Sequence, residues 1–135
     1  MKNSKLLCYL LIIVSTSLFA SCTKGNADYP PTTRESITRS AWSVDYYFSG
    51  QDKTAQFSNY QFNFNTNGSV TAVDGANSFN GNWSMITDVY RNEVLRMNIS
   101  EAHLQDLNNQ WTVEATSSGI LVMKNSGSEL HLRKL

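Results

Sequence analysis

The chain has 135 residues, enough for one domain, and its eleven basic side chains balance eleven acidic ones. A formal charge of zero leaves no basic face for nucleic acid, whose binding rests on Lys and Arg contacts to phosphate. Most of the polarity is carried by Asn, Ser, Thr and Gln instead of charge.

The first element is an address. Lys2 and Lys5 precede an uncharged run, Leu6 to Ala20, which ends at Ser21-Cys22. A positive start, a short apolar core and small residues at the cut form the layout of an export signal. Fifteen residues fall short of the ~20 that cross a bilayer as a helix, and Ser15, Thr16 and Ser17 interrupt them. Residues 1–21 are therefore expected to be removed, leaving nine basic against eleven acidic side chains.

"LFASC" resembles a bacterial lipobox, with Phe19, Ala20 and Ser21 in the recognition positions and Phe19 standing where Leu is usual. The resemblance implies acylation of Cys22, which becomes the new N-terminus and holds the protein to the lipid bilayer. Several acyl chains on one residue give stable anchoring, at ~0.8 kcal/mol per buried CH₂. Thr23 stands where an Asp retains some lipoproteins at the inner membrane, which implies the outer membrane, facing the periplasm. Cys8 leaves with the signal and Cys22 is acylated, so neither a disulfide nor a cysteine metal site is expected in the exported domain. Residues 22–38 read as the lipidated cysteine and a flexible tether, stiffened at Pro30-Pro31. At their end, "TTRESITRS" (residues 32–40) has the makings of one helical turn leading into the first strand.

From residue 39 the pattern becomes that of strands. "WSVDYYF" alternates, with Trp42, Val44, Tyr46 and Phe48 on one face, and "YQFNFN" places Tyr60, Phe62 and Phe64 inward. A period of two marks a strand with one buried face. Asn67-Gly68 is a hairpin turn signal that leads into "SVTAV". "SFNGNWSM", "EVLRMNI", "QWTVEAT", "GILVMK" and "ELHLRKL" follow, separated by short Gly-, Asn- and Ser-rich turns. Eight short strands at this spacing argue for a sandwich or an up-and-down barrel. One short helix is expected near residues 100–108, with Ser100 as N-cap and Leu104 and Leu107 on its apolar side.

Trp42 at the head of the first strand, the "FNFNTNGSV" hairpin, "GNW" at Gly81 to Trp83, then "LRMNI", "QWTV", "ILVMK" and "LHLRKL" make an ordered set. Over roughly Ile37 to Leu135 the chain resembles the lipocalin-like domain of bacterial lipoproteins, which places a barrel domain at residues 39–135, with Ser40 where lipocalins proper carry Gly. The resemblance implies an all-β, eight-stranded antiparallel up-and-down barrel. It also implies that an arginine at the end of the last strand, here Arg133, packs across Trp42, a cation–π contact worth ~0.5–2 kcal/mol. The phase of Leu130 and Leu132 points Arg133 outward unless that strand ends or bulges.

Motifs for catalysis or cofactors are missing from the sequence: there is no phosphate loop, dinucleotide fingerprint, His-Glu-x-x-His or nucleophile elbow. His103 and His131 read as surface residues without metal partners, and Asp52, Asp74, Asp88, Glu93 and Glu101 as solvated charges. No enzyme activity, cofactor or metal is expected. The aromatic and methionine residues of inward phase (Trp42, Tyr46, Phe62, Phe64, Trp83, Met97, Trp111 and Met123) either fill a core or line a cup, since an eight-stranded barrel is just wide enough for both. Two functions remain open: a membrane-tethered cup for a small apolar ligand, or a filled barrel that engages an envelope protein. The polar loops "LNNQW" and "DGANSFNGN" would serve as rim or docking edge.

Overall fold

The computed structural model describes residues 31–135; the export signal, Cys22 and the first part of the tether lie outside them. A short helix, α1 (Thr33–Thr38), precedes eight strands: β1 (Ala41–Ser49), β2 (Gln61–Phe64), β3 (Ser69–Asp74), β4 (Asn77–Thr87), β5 (Glu93–Ile99), β6 (Gln110–Ser117), β7 (Ile120–Asn125) and β8 (Ser128–Lys134). Each strand pairs antiparallel with its neighbours in sequence, and β8 pairs with β1, so the sheet is a closed eight-stranded barrel. Closure removes the unpaired edges that would otherwise invite aggregation.

Helix α1 takes over the end of the expected tether. Thr32 accepts from the Glu35 amide while the Glu35 carboxylate accepts from the Thr32 amide, a reciprocal cap that starts the helix. Ile37 on its inner side has no accessible surface, a burial worth ~1.5–3 kcal/mol. The packed domain therefore begins at Pro31, eight residues before the boundary expected at residue 39.

Two β-bulges reset the phase of long strands. On β1, Val44 opposes Leu132 and Tyr46 opposes His131, which leaves Asp45 as the extra residue. Alternation from Trp42 is thereby shifted by one. Tyr46 points outward, its ring 5.1 Å from that of His131, and Tyr47 takes the inward place at 2% exposure. The expectation of an inward Tyr46 is corrected by that bulge. On β6 the shift falls between Val113 and Ala115, with Glu114 as the extra residue.

The expected helix near residues 100–108 is a 3₁₀ segment, Ala102–Leu107, capped by the Glu101 side chain and not by Ser100. A single 3₁₀ turn, Thr54–Gln56, sits in the β1–β2 connection.

Candidate functional site

The alternating strand directions sort the connections into two ends. The entry end, where the chain arrives at Pro31, carries α1, the β2–β3, β4–β5 and β6–β7 turns and the end of β8. The far end carries the two long connections and the β3–β4 and β7–β8 turns.

Each end is shut by a segment that a tryptophan holds in place. At the entry end, Trp42 Nε1 donates to the Ile37 carbonyl at 2.8 Å, pinning α1 over the opening. The Arg34 guanidinium lies 5.2 Å from the Trp83 ring, and Thr33 Oγ1 donates to the Glu93 carboxylate at the start of β5. Trp83 Nε1 donates to the Asn65 carbonyl in the β2–β3 turn at 2.9 Å. At the far end, Trp111 Nε1 donates to the Leu107 carbonyl at 2.9 Å, holding the 3₁₀ segment down. Tyr47 Oη donates to the Asp106 carbonyl at 3.2 Å, and its ring meets Phe57 edge-on at 5.1 Å. Buried indole N–H groups need acceptors, and here all three find them in backbone that closes the barrel.

Between these closures the interior is packed. Leu95, Ile99, Trp111, Met123, Leu130, Phe57, Leu104 and Leu107 have no accessible surface, and a side chain with none has no water-sized void beside it. Trp42, Phe62, Phe64, Trp83, Met97, Trp111 and Met123 all join one core cluster, as their phase implies.

Arg133 does not reach Trp42. It pairs with Ser43 on the outer phase of β8, and its Nε donates to the Asp45 carboxylate at 2.7 Å. The bulge that turns Asp45 out supplies this acceptor, and the carboxylate raises the arginine pKa further above its ordinary value. Among the described residues a cation–π contact is made by Arg34 and Trp83 instead.

Two depressions lie on the outer face of the barrel. One, of about 250 Å³, opens between the outward pairs Asn82–Asn98 and Ser84–Arg96 of β4 and β5, with Trp83 and Met97 at its floor. It adjoins a second, of about 450 Å³, lined by Arg96, Asn98, Gln105, Asn108, Asn109 and Gln110. Asn82 comes from one of the loops expected as a docking edge, and Asn108 to Gln110 from the other. Asn108 is already committed, since its amide accepts from the Ile99 N–H at 2.7 Å and donates to the Ile99 carbonyl at 2.8 Å. The result is a fixed, amide-rich wall that carries one cation, Arg96.

Several of the carboxylates expected as solvated charges have structural partners. Hydrogen bonds from Thr54 hold the Asp52 carboxyl below its usual range. The Asn92 side chain, with the amides of Asn92 and Tyr90, does the same for Asp88. His131 lies 2.7 Å from Glu129 and is half-buried, unlike the expected free surface residue. Among the described residues no group of three or more His, Cys, Asp or Glu side chains is placed to hold a metal, and no helix is long and apolar enough to cross a membrane.

The helical turn expected over "TTRESITRS" is α1; its role in closing the barrel is set by the contacts of Ile37 with Trp42, which the sequence alone does not show.

No protein-family model and no curated protein sequence matches the chain. Solved structures do. A DUF4847 family protein from Bacteroides vulgatus superposes with a TM-score of 0.53 at 12% identity, over 72% of this chain and 93% of that one. A lipocalin-like protein from Bacteroides uniformis gives 0.52 at 17%, over 73% and 99%. An uncharacterized protein from Bacteroides eggerthii gives 0.51 at 14%, over 71% and 98%. At these identities the likeness is one of fold, and the fold is lipocalin-like.

Proposed function

We propose that this lipocalin-like barrel is a lipid-anchored, non-enzymatic interaction module of the cell envelope that works through its outer surface and holds no apolar ligand inside. The observation that carries the reading is the closed interior. Space for a ligand would have to come from displacing Trp111, Met123 or Phe62, or from lifting α1 or the 3₁₀ segment against their indole hydrogen bonds. A drug-sized apolar ligand asks for a concave pocket of ~300 Å³ or more. The amide-rich wall around Asn82, Asn98 and Arg96 is the surface the reading assigns to an envelope protein partner, because it stands on paired strands whose backbone is already ordered before binding.

The lipobox-like "LFASC" supports anchoring by acylated Cys22, and Thr23 supports the outer membrane, facing the periplasm. Two measurements test the proposal. Labelled fatty acid is expected on the full chain and not on Cys22→Ser; label retained by Cys22→Ser would refute the anchor. Tryptophan fluorescence of the processed chain, titrated with fatty acids and retinoid-like probes, is expected to show no saturable change. Saturation with a stoichiometry of one would return the protein to the class of ligand-binding cups.

A further inference from the structure

Three large apolar side chains stand out in solvent among the described residues: Val89 at 89% exposure, Tyr90 at 82% and Leu135 at 63%. All three sit at the entry end, the first two on the β4–β5 turn and the third just beyond β8. A scatter of lone exposed apolar residues needs no explanation, but their collection at one end of a barrel does.

The turn that carries Val89 and Tyr90 is built to hold them there. Asp88 Oδ1 accepts from the amides of Tyr90 and Asn92, each at 2.8 Å, and Asp88 Oδ2 accepts from the Asn92 side chain at 2.9 Å. Arg91 is kept in the left-handed region at φ 68°, and its amide donates to the Asp88 carbonyl. Leu135 is tied in turn by its amide to the Ala41 carbonyl at 2.9 Å. The turn presents Val-Tyr-Arg outward as one ordered tip.

Charge follows the same axis. Arg34, Arg39, Arg91, Arg133 and Lys134 occupy the entry end against Glu35, Asp88, Glu93 and the Asp45 that pairs with Arg133. The far end holds Asp52, Asp74, Glu101, Asp106 and Glu129 against Lys53 and Lys124. The far end is thus net acidic and the entry end close to balanced, so an anionic surface would repel the far end more than the entry end. A crevice of about 230 Å³ at the entry end, between α1, Gly119 and Trp42, is lined by two of these cations, Arg39 and Lys134.

We infer that the Val89–Tyr90–Arg91 tip is a second membrane contact, which docks the entry end on the surface of an anionic bilayer. The inference rests on the proposed anchoring at Cys22. Only eight residues stand between Cys22 and Pro31, nine Cα steps that reach about 30 Å when fully extended. The entry end, tied to the chain's arrival point through Thr33 and Glu93, is thus the end held near the lipid. Tyrosine favours the headgroup level, where its ring is buried and its hydroxyl stays wet, and arginine beside it matches phosphate geometry. Because the tip is already rigid, insertion orders little that was free.

The test places an environment-sensitive dye on Val89→Cys or, at the far end, on Ala76→Cys, in the full chain acylated at Cys22. Both are reconstituted in vesicles of phosphatidylcholine and phosphatidylglycerol carrying nitroxide-labelled lipid. The dye at position 89 is expected to shift to the blue and to be quenched at least three-fold more than the dye at position 76. Equal quenching at both positions, with both dyes open to aqueous iodide, overturns the inference. So does shielding at position 89 that requires an added envelope protein and is not seen with lipid alone. Failure of the anchor shows itself separately, as a full chain without fatty acid. The tip is then read on processed chains, residues 22–135, that carry Cys22→Ser. Cosedimentation with the same vesicles is expected to fall at least three-fold when Val89→Ser and Tyr90→Ser are added, with the melting temperature unchanged. No fall overturns the inference.

Discussion

Gly81→Ala puts the tightest approach in the barrel under strain. Gly81 lies on the inward phase of β4 between Phe79 and Trp83, opposite Val70 of β3 and Ile99 of β5. A Cβ added there would stand 2.2 Å from the Asn98 carbonyl oxygen, 2.7 Å from Ile99 Cα and 2.9 Å from the Asn98 carbonyl carbon. Carbon contacts relax at ~3.5–4.0 Å, so the β5 backbone must retreat by about 1 Å or more. No flexible side chain is there to give way. Overpacking of this kind costs ~1–3 kcal/mol, and each ladder hydrogen bond stretched beside it adds ~0.5–1.5 kcal/mol. The expected loss is about 2–5 kcal/mol, a large share of the ~5–15 kcal/mol that holds a domain of this size. A fall in Tm of roughly 10–25 °C follows. Gly75→Ala is the control, since Gly75 has no atom within 4 Å of an added Cβ but sits at φ +57°. It should cost only the left-handed penalty of ~1–2 kcal/mol. Thermal and urea melts followed by circular dichroism read both variants. A Gly81→Ala protein that melts within a few degrees of the parent, or above Gly75→Ala, would refute the close-approach reasoning.

The bulge at Asp45 predicts opposite outcomes for adjacent tyrosines: Tyr47→Ala should cost ~3–5 kcal/mol as a core truncation and Tyr46→Ala under ~1 kcal/mol, with similar losses in urea melts counting against the bulge. Trp111→Phe strips the Leu107 carbonyl of its donor, for which ~1–3 kcal/mol is expected. Faster amide exchange across residues 104–108 should accompany it, and unchanged exchange there would mean that the indole holds nothing down. Asp88 has a folded-state pKa below its ordinary 3.8, so its hold on the tip is complete above that value and is lost as pH falls through the lower one. The Tyr90 and Asn92 amide resonances should therefore titrate with a midpoint under 3.8, and a midpoint at or above it would contradict the hydrogen bonds drawn to Asp88.

Much of this protein is written locally. Alternation of apolar and polar residues is a property of neighbours in sequence, so "YQFNFN", "EVLRMNI" and "ELHLRKL" declare strands and inner faces without help from the rest of the chain. Turn chemistry is equally local. Asn67-Gly68 closes the β2–β3 turn with Gly68 at φ 86° and the Asn67 side chain accepting from the Ser69 amide. Eight such strands with short links leave two architectures, a sandwich or a barrel, and the sequence by itself determined an all-β domain with Trp42, Phe62, Trp83, Trp111 and Met123 on its inner faces.

What only the tertiary structure decided depends on partners distant in sequence. The Asp45 bulge arises from the register of β1 against β8, more than eighty residues on, so no window on "WSVDYYF" reveals that Tyr47 and not Tyr46 turns inward. The same register carries Arg133 away from Trp42 and onto Asp45. Whether the barrel is a cup or a filled core is a matter of volume, summed over side chains from all eight strands and both closing segments. Ile37 and Phe57 look like isolated apolar residues in polar stretches until the ends they cover are in place. The hydrogen bonds from Trp42 to Ile37 and from Trp111 to Leu107 join closing segments to strands. Such contacts exist only once the barrel has closed, because nothing in an extended chain holds an indole N–H against a carbonyl on another element.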